Sequence, residues 1–160
     1  MCLCIQNFFH PYDDKSGVRK PIVAKENILV FKVITALTTT YHTPYQIFVI
    51  HFKNGVYNYK TTRMQIGEFD TQGGYLPNCV TKGIHAWIDE KHAERCAGQY
   101  SNDRVFYCVI PKGAKFYIGD NFDVVSNKLM VFEHKSYYEL SSLNAKNMDL
   151  YLTEQFEDIV

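Results

Sequence analysis

From Ile28 to Thr35 the chain reads Ile-Leu-Val-Phe-Lys-Val-Ile-Thr, apolar on both faces except at Lys32. That pattern predicts a largely buried strand. Residues 45–60 hold two β-rich runs joined by Asn54-Gly55, a pair that favours the positive φ angles of a type I′ hairpin turn. A two-residue turn there pairs Lys53 with Val56, Phe52 with Tyr57 and Ile50 with Tyr59. Phe48, Ile50, Phe52, Tyr57 and Tyr59 then share a face to be buried, and His51 falls opposite Asn58 on the polar face. Val105–Ile110 is again apolar on both faces and predicts a central strand. Pro111-Lys-Gly113 ends it, with Pro second and Gly fourth in a type I turn. Lys115–Ile118 and Lys128–Glu133 predict two further strands, joined by a Gly/Asp/Asn-rich loop over 119–127.

Helical signals are fewer. Asp89 is a good N-cap for the segment that follows, Ile88 and Ala93 are spaced for a hydrophobic staple, and Gly98 suits the C-terminal cap. Ala93, Cys96 and Ala97 turn inward. Near the C-terminus Leu143, Met148, Leu152, Phe156 and Ile159 follow helical spacing, with Ser142 or Asn144 placed to cap the start. Two stretches are irregular. Residues 10–21 are polar with a proline at each end and read as an arm or loop, and 61–82 carry Gly73-Gly74 and Pro77. The expectation is an α+β fold: a strand-rich mixed or antiparallel sheet, a short helix at about 89–97 and a C-terminal helix at about 144–157. Residues 1–21 form an N-terminal arm and 22–160 a single globular domain.

Composition agrees. At 160 residues folding buries roughly 70% of the unfolded surface, so a core needs no metal or disulfide staple. Eleven Phe and twelve Tyr beside one Trp pack well on pleated surfaces. Seventeen Lys+Arg balance seventeen Asp+Glu without a run of either sign, which disfavours nucleic acid as a partner. The N-terminus lacks a signal-peptide pattern and no apolar run is long enough to span a bilayer, so no membrane partner is expected and the cytoplasm is the expected compartment. Cys2, Cys4, Cys79, Cys96 and Cys108 make an odd set without metal-site spacing. Cys2 and Cys4 read as small buried hydrophobes, Cys108 as an inert core thiol, and Cys79 as the exposed one. No cofactor is expected.

Three segments are familiar together: Thr43-Pro-Tyr-Gln46, Lys82-Gly-Ile-His-Ala-Trp87, and Val109-Ile-Pro-Lys-Gly-Ala-Lys-Phe-Tyr-Ile-Gly119 with Val125-Ser-Asn-Lys-Leu129. In this order they resemble a group of small uncharacterised proteins from phages and gut-type bacteria, over roughly residues 28–133. The resemblance implies a shared fold, a viral or mobile-element origin and, with it, a host cytoplasm; it implies no activity. A more distant likeness is to the ADP-ribosyltransferase fold, which implies an NAD-holding residue on the first strand and a late glutamate. Lys32 and Glu133 occupy those places, and lysine lacks the fork of arginine.

Among chemical candidates, His85 precedes a helix beside Trp87, with Asp89 and Glu90 near in sequence to orient it. Its plainer role is a ring bonded to a backbone carbonyl. His92 reads as a capping-region surface residue, while His10 and His42 lie in loops without pattern. Lys112-Gly113-Ala-Lys115 could bind an anion but lacks the phosphate-loop arrangement. Asp120, Asn121 and Asp123 do not match a calcium loop. The reading that follows is a binding protein, with Tyr75, His85, Trp87, Lys112 and Lys115 around a cleft between 61–82, 85–87 and 119–127. Its partner is an anionic or nucleotide-like ligand or a host protein. The alternatives are an ADP-ribosyltransferase-like enzyme using His85 and Glu133 on NAD, and a virion or assembly component.

Overall fold

The computed structural model describes residues 3–6, 9–13, 15, 18–36, 40–42, 49–61, 64–69, 75–98, 102–133, 140 and 143–157, with the backbone alone at 12, 13, 18, 42, 65–69, 75–78 and 155–157. Cys2, Thr43–Gln46, Phe48, Gly73-Gly74, Ser142 and Ile159 lie outside the described residues. In chain order the strands are β1 (Leu3–Cys4), β2 (Tyr12–Asp13), β3 (Val18–Arg19), β4 (Ile22–Val23), β5 (Ile28–Ala36), β6 (Tyr41–His42), β7 (Val49–Ile50), β8 (Val56–Lys60), β9 (Gln65–Phe69), β10 (Tyr75–Lys82) and β11 (Ile84–Trp87). Helix α1 (Glu90–Ala97) follows. Then come β12 (Asp103–Ile110), β13 (Lys115–Ile118), β14 (Asp123–Ser126), β15 (Lys128–Phe132), β16 (Lys146–Asn147) and helix α2 (Met148–Glu157). The fold is α+β, and among the described residues the strand pairs are antiparallel except for β16 on β5. Among the described residues no helix is long and apolar enough to cross a membrane.

The main sheet runs β4-β13-β14-β11-β5-β12-β15-β8. β5 pairs with β12 over eight positions, from Ile28↔Ile110 to Thr35↔Asp103. Both strands are apolar on both faces because both faces are covered. One face carries Ile28, Val30, Ile34, Phe106, Cys108, Ile110, Leu129 and Val131 against Met148 and Tyr151 of α2. On the other face α1 lays Ala93 and Ala97 on Phe31 and Val33. Farther along that face, a second sheet of order β1-β10-β9 packs Leu3, Ile5 and Val80 onto Tyr117 and Val125.

Several expectations change. Asn54 and Gly55 adopt φ 55° and 77°, and Lys53 and Val56 exchange backbone hydrogen bonds, so the hairpin turn forms. Beyond it the strands part: Ile50 lies opposite Tyr41 on β6, and Tyr57 and Tyr59 pair with Val131 and Leu129. The long apolar β15 gives β8 a better partner than the two-residue β7 can. His51 and Asn58 are exposed, but Asn58 faces Met130. The 61–82 stretch contains β9 and β10, with register shifts between Leu76 and Lys82 that accommodate Pro77. Residues 123–126 of the 119–127 loop form β14, whose Val124 and Val125 are buried. The turn after β12 is one residue late, closed by Ala114 N–H on Pro111 O with Gly113 at φ 88°.

Asp89 caps α1 through His92 N–H, as its sequence predicts. Gly98 is the C-cap but stays right-handed at φ −63°. Ile88 joins the α2-side core whereas Ala93 packs on the opposite face, so they form no staple. α2 starts at Met148, later than expected, because Asn147 Oδ1 accepts from Asp149 N–H while Lys146 and Asn147 pair with β5. Asn144 takes a left-handed φ of 51° before it.

The described part of the 1–21 arm is packed, not loose. Leu3 and Ile5 are buried, and His10 is 1% exposed. His10 Nδ1–H donates to Lys20 O, while its Nε2 accepts from Ile118 N–H. An imidazole thus completes the edge of β13 beyond β4.

Candidate functional site

β11 distributes the residues around Gly83–Trp87. Ile84 and Ala86 point into the α2-side core, so His85 and Trp87 point to the other face. Gly83 must be glycine: its φ is 151° and an added Cβ would stand 2.3 Å from Val125 Cγ1. Pairing with β14 sets His85 opposite Val125 and Trp87 opposite Asp123.

At the Val125 end this face is closed. Leu3, Ile5 and Val80 cover Tyr117 and Val125, so the expected cleft beside the 61–82 stretch is filled by the N-terminal segment. Burial, with the Lys32 charge adding to it, lowers His85 to about 4, so the ring is neutral at physiological pH. The carbonyl of His85, not its ring, makes the hydrogen bond there: it accepts from Lys32 Nζ at 2.6 Å. Lys32 lies on the α2 side, 8% exposed, and burial lowers its ammonium to about 8.

At the Trp87 end the face reaches water through Phe122, while Asp123 Oδ1 is itself buried. Asp89 Oδ1 accepts from His92 N–H at 3.1 Å and from the ring Nδ1–H at 2.5 Å, which fixes the imidazole beside the helix start. Trp87 and His92 stack at 6.1 Å and 21°, and His92 and Phe122 at 4.4 Å and 24°. Phe122 is 54% exposed and holds a left-handed φ of 59°, a conformation costing an aromatic residue about 1–2 kcal/mol. Its carbonyl is tied to Ile88 N–H at 2.8 Å. The result is a continuous ladder of three rings whose last member faces water. Asp89, the N-cap of α1, adjoins the ladder through His92, and Asp123, opposite Trp87, is raised by burial first and by Asp120 after it.

The residues expected to share one cleft are dispersed. Trp87 belongs to the ring ladder and His85 to the closed end. Lys112 is exposed in the turn after β12, its N–H held by Asn27. Lys115 is exposed at the start of β13, and its row of the sheet is two alternate rows from Trp87. The Tyr75 side chain lies outside the described residues, its backbone pairing with Phe69. Glu133, just past β15, accepts from Tyr41 O–H at 3.4 Å on the α2 side. His85 and Glu133 therefore stand on opposite faces of the sheet. Cys4 is exposed, contrary to the buried role expected of it, and Cys79 is half-buried. Cys108 is buried, its thiol pushed up to about 12 by burial.

In sequence His92 reads only as a capping-region surface residue, and Phe122 carries no assigned role. The available signal was an isolated aromatic within Gly119-Asp-Asn-Phe-Asp123, where solvent-exposed turns rarely spend one. Among the described residues no cluster of His, Cys, Asp and Glu is placed to hold a metal ion. Comparisons of the chain with protein-family models, with curated proteins and with solved structures find no match in any of the three.

Proposed function

We propose that this is a binding protein whose working surface is the Trp87–His92–Phe122 ladder, and that it docks a basic segment of a protein partner through an arginine. The observation that carries the reading is Phe122: an exposed aromatic ring held in a costly backbone conformation and stacked on a fixed imidazole. A planar guanidinium stacks on such a ring while its N–H groups reach carboxylates. Asp89 beside His92, and Asp120, exposed in the same turn as Phe122, are the carboxylates offered to them, with Lys91 a nearby exposed cation in sequence. An anionic ligand would meet these carboxylates, with Lys112 in the turn after β12 and Lys115 two alternate rows away from Trp87. In keeping with the resemblance to phage proteins, the partner is a host protein.

Trp87 is the chain's only tryptophan, so its fluorescence reports directly on the ladder. A short arginine-containing peptide should shift that emission on titration, more tightly than its lysine counterpart. Phe122→Ala should weaken binding about tenfold, the loss of one stacking contact worth about 1–2 kcal/mol. Adenosine monophosphate binding more tightly than the peptide, or equal peptide binding by Phe122→Ala, would overturn the reading.

A further inference from the structure

β1 lies antiparallel to β10 with Leu3 opposite Val80 and Cys4 opposite Cys79. Directly opposed residues of antiparallel strands hold their Cα atoms about 4.5–5.5 Å apart, with both side chains on one face. That lies within the separation of about 4.4–6.8 Å which a disulfide spans. Leu3 and Val80 are both fully buried against Tyr117 and Val125. By strand alternation the next pair turns outward, and Cys4 is indeed exposed and Cys79 half-buried.

The register is pinned from the other side of β1. Ile5 bridges Gly119, Gln6 N–H donates to Ile118 O, and Asp120 N–H donates to Cys4 O. These contacts tie β1 to the end of β13, so the two thiols are presented to each other by the fold. The remaining described cysteines are placed differently: Cys96 lies on α1 against the cluster of Phe31 and Val33, and Cys108 sits in the core.

We propose that Cys4 and Cys79 form a redox-responsive pair, closing to a disulfide in the folded protein and clipping the N-terminal strand to β10. With oxidised glutathione as oxidant, the Cys4 thiolate attacks a glutathione sulfur, breaking that S–S bond and releasing one glutathione. The Cys79 thiolate then attacks Cys4 Sγ of the mixed disulfide and releases the second. Two thiols lose two protons and two electrons, and one glutathione disulfide becomes two glutathione thiols. The bridge fixes the segment that covers the His85 end of the face, while an exposed disulfide stays open to reduction. Thiol and disulfide forms thus differ in how firmly that cover is held.

The test is oxidation of the full-length protein by glutathione disulfide, followed by intact mass and peptide mapping. The expected product has lost two hydrogen atoms and yields a linked Cys4–Cys79 peptide. It should form at least about tenfold faster under native conditions than in concentrated urea, where the chain must close a long loop to pair the thiols. Cys79→Ser should abolish that product and Cys96→Ser should leave it unchanged. A stable glutathione adduct on Cys4, a bridge to Cys2 or Cys96 in place of Cys79, or equal rates in urea would overturn the proposal.

Discussion

The strand pair β11–β14 has two ends on the same face of the same sheet, and they differ completely. At one end Val125 lies beneath Leu3, Ile5 and Val80, and burial drives the imidazole of His85, opposite it, to its neutral form. At the other, two residues along each strand, Trp87 begins a ladder of rings that ends in water at Phe122. Local sequence does not distinguish them: each end offers a ring beside valine or aspartate on a short strand. The difference comes from a remote segment that covers Tyr117 and Val125 and reaches Gly119 beside Asp123, but leaves Phe122 in water. A histidine that looks catalytic in sequence is thereby made structural, and one that looks like a capping residue becomes part of an exposed surface.

The comparison can be broken most forcefully at Gly83, where the closed end begins. Gly83→Ala places a methyl group against Val125 in a strained backbone, and should cost at least about 3 kcal/mol of stability in denaturant titration. A loss below 1 kcal/mol would mean that β11 and β14 do not approach as described.

Acid should act on the same end. His85 is lowered from 6.5 to about 4 by burial, and His10 is lowered as well, by burial first and by Arg19, against the raising effect of its bond to Lys20. Protonating His10 would also leave Ile118 N–H without its acceptor. Both groups are lowered in the fold, so their contribution is whole above pH 6.5 and is lost as pH falls below it, towards 4 in the case of His85. The His85 part amounts to about 3 kcal/mol. Urea midpoints measured across that window should fall, and His85→Gln should flatten the curve; an unchanged slope in that variant would remove His85 as a cause.

From the opposite face, Lys32 donates to the carbonyl of His85 while buried at a cost that lowers its ammonium to about 8. Lys32→Met should raise stability by about 1–2 kcal/mol near neutral pH. The gain should shrink as pH rises from 8 towards 10.5, where the wild-type amine becomes neutral in the fold. Destabilisation by this change would show that the Lys32–His85 hydrogen bond outweighs the desolvation it requires.

The open end should respond least in stability. Asp89→Ala removes the cap and the anchor of His92 and should cost about 1 kcal/mol. Phe122→Gly relieves the left-handed strain and gives up one stacking contact, so its thermal midpoint should stay within a few degrees of wild type. A large drop for Phe122→Gly would identify the ladder as a stabilising cluster rather than a surface kept for a partner.

Several features were legible because their causes are local. The Asn54-Gly55 turn follows from two residues that accept positive φ, and the Asp89 cap from a carboxylate three residues ahead of the amide it receives. β5 and β12 declared themselves by being apolar on both faces. Pairing beyond the turn was not legible, because β8 chose β15 over its neighbour in sequence. Nor was β14, a four-residue strand within a segment full of turn residues. Of the residues expected at the site, Trp87 alone belongs to the ladder, since which rings meet depends on the Gly119–Phe122 turn reaching the start of α1.

By itself, then, the sequence determined an α+β class, the two central strands, one tight turn and one capped helix, all consequences of patterning within a few residues. The tertiary structure alone decided that Leu3, Ile5 and His10 complete the molecule, that Cys4 faces Cys79, and that His92 lies between Trp87 and Phe122. Each of those depends on strands that are distant in sequence and are brought together by burying apolar faces, an effect with no direction of its own. Side-chain neighbours are fixed only once the whole sheet has its order and register.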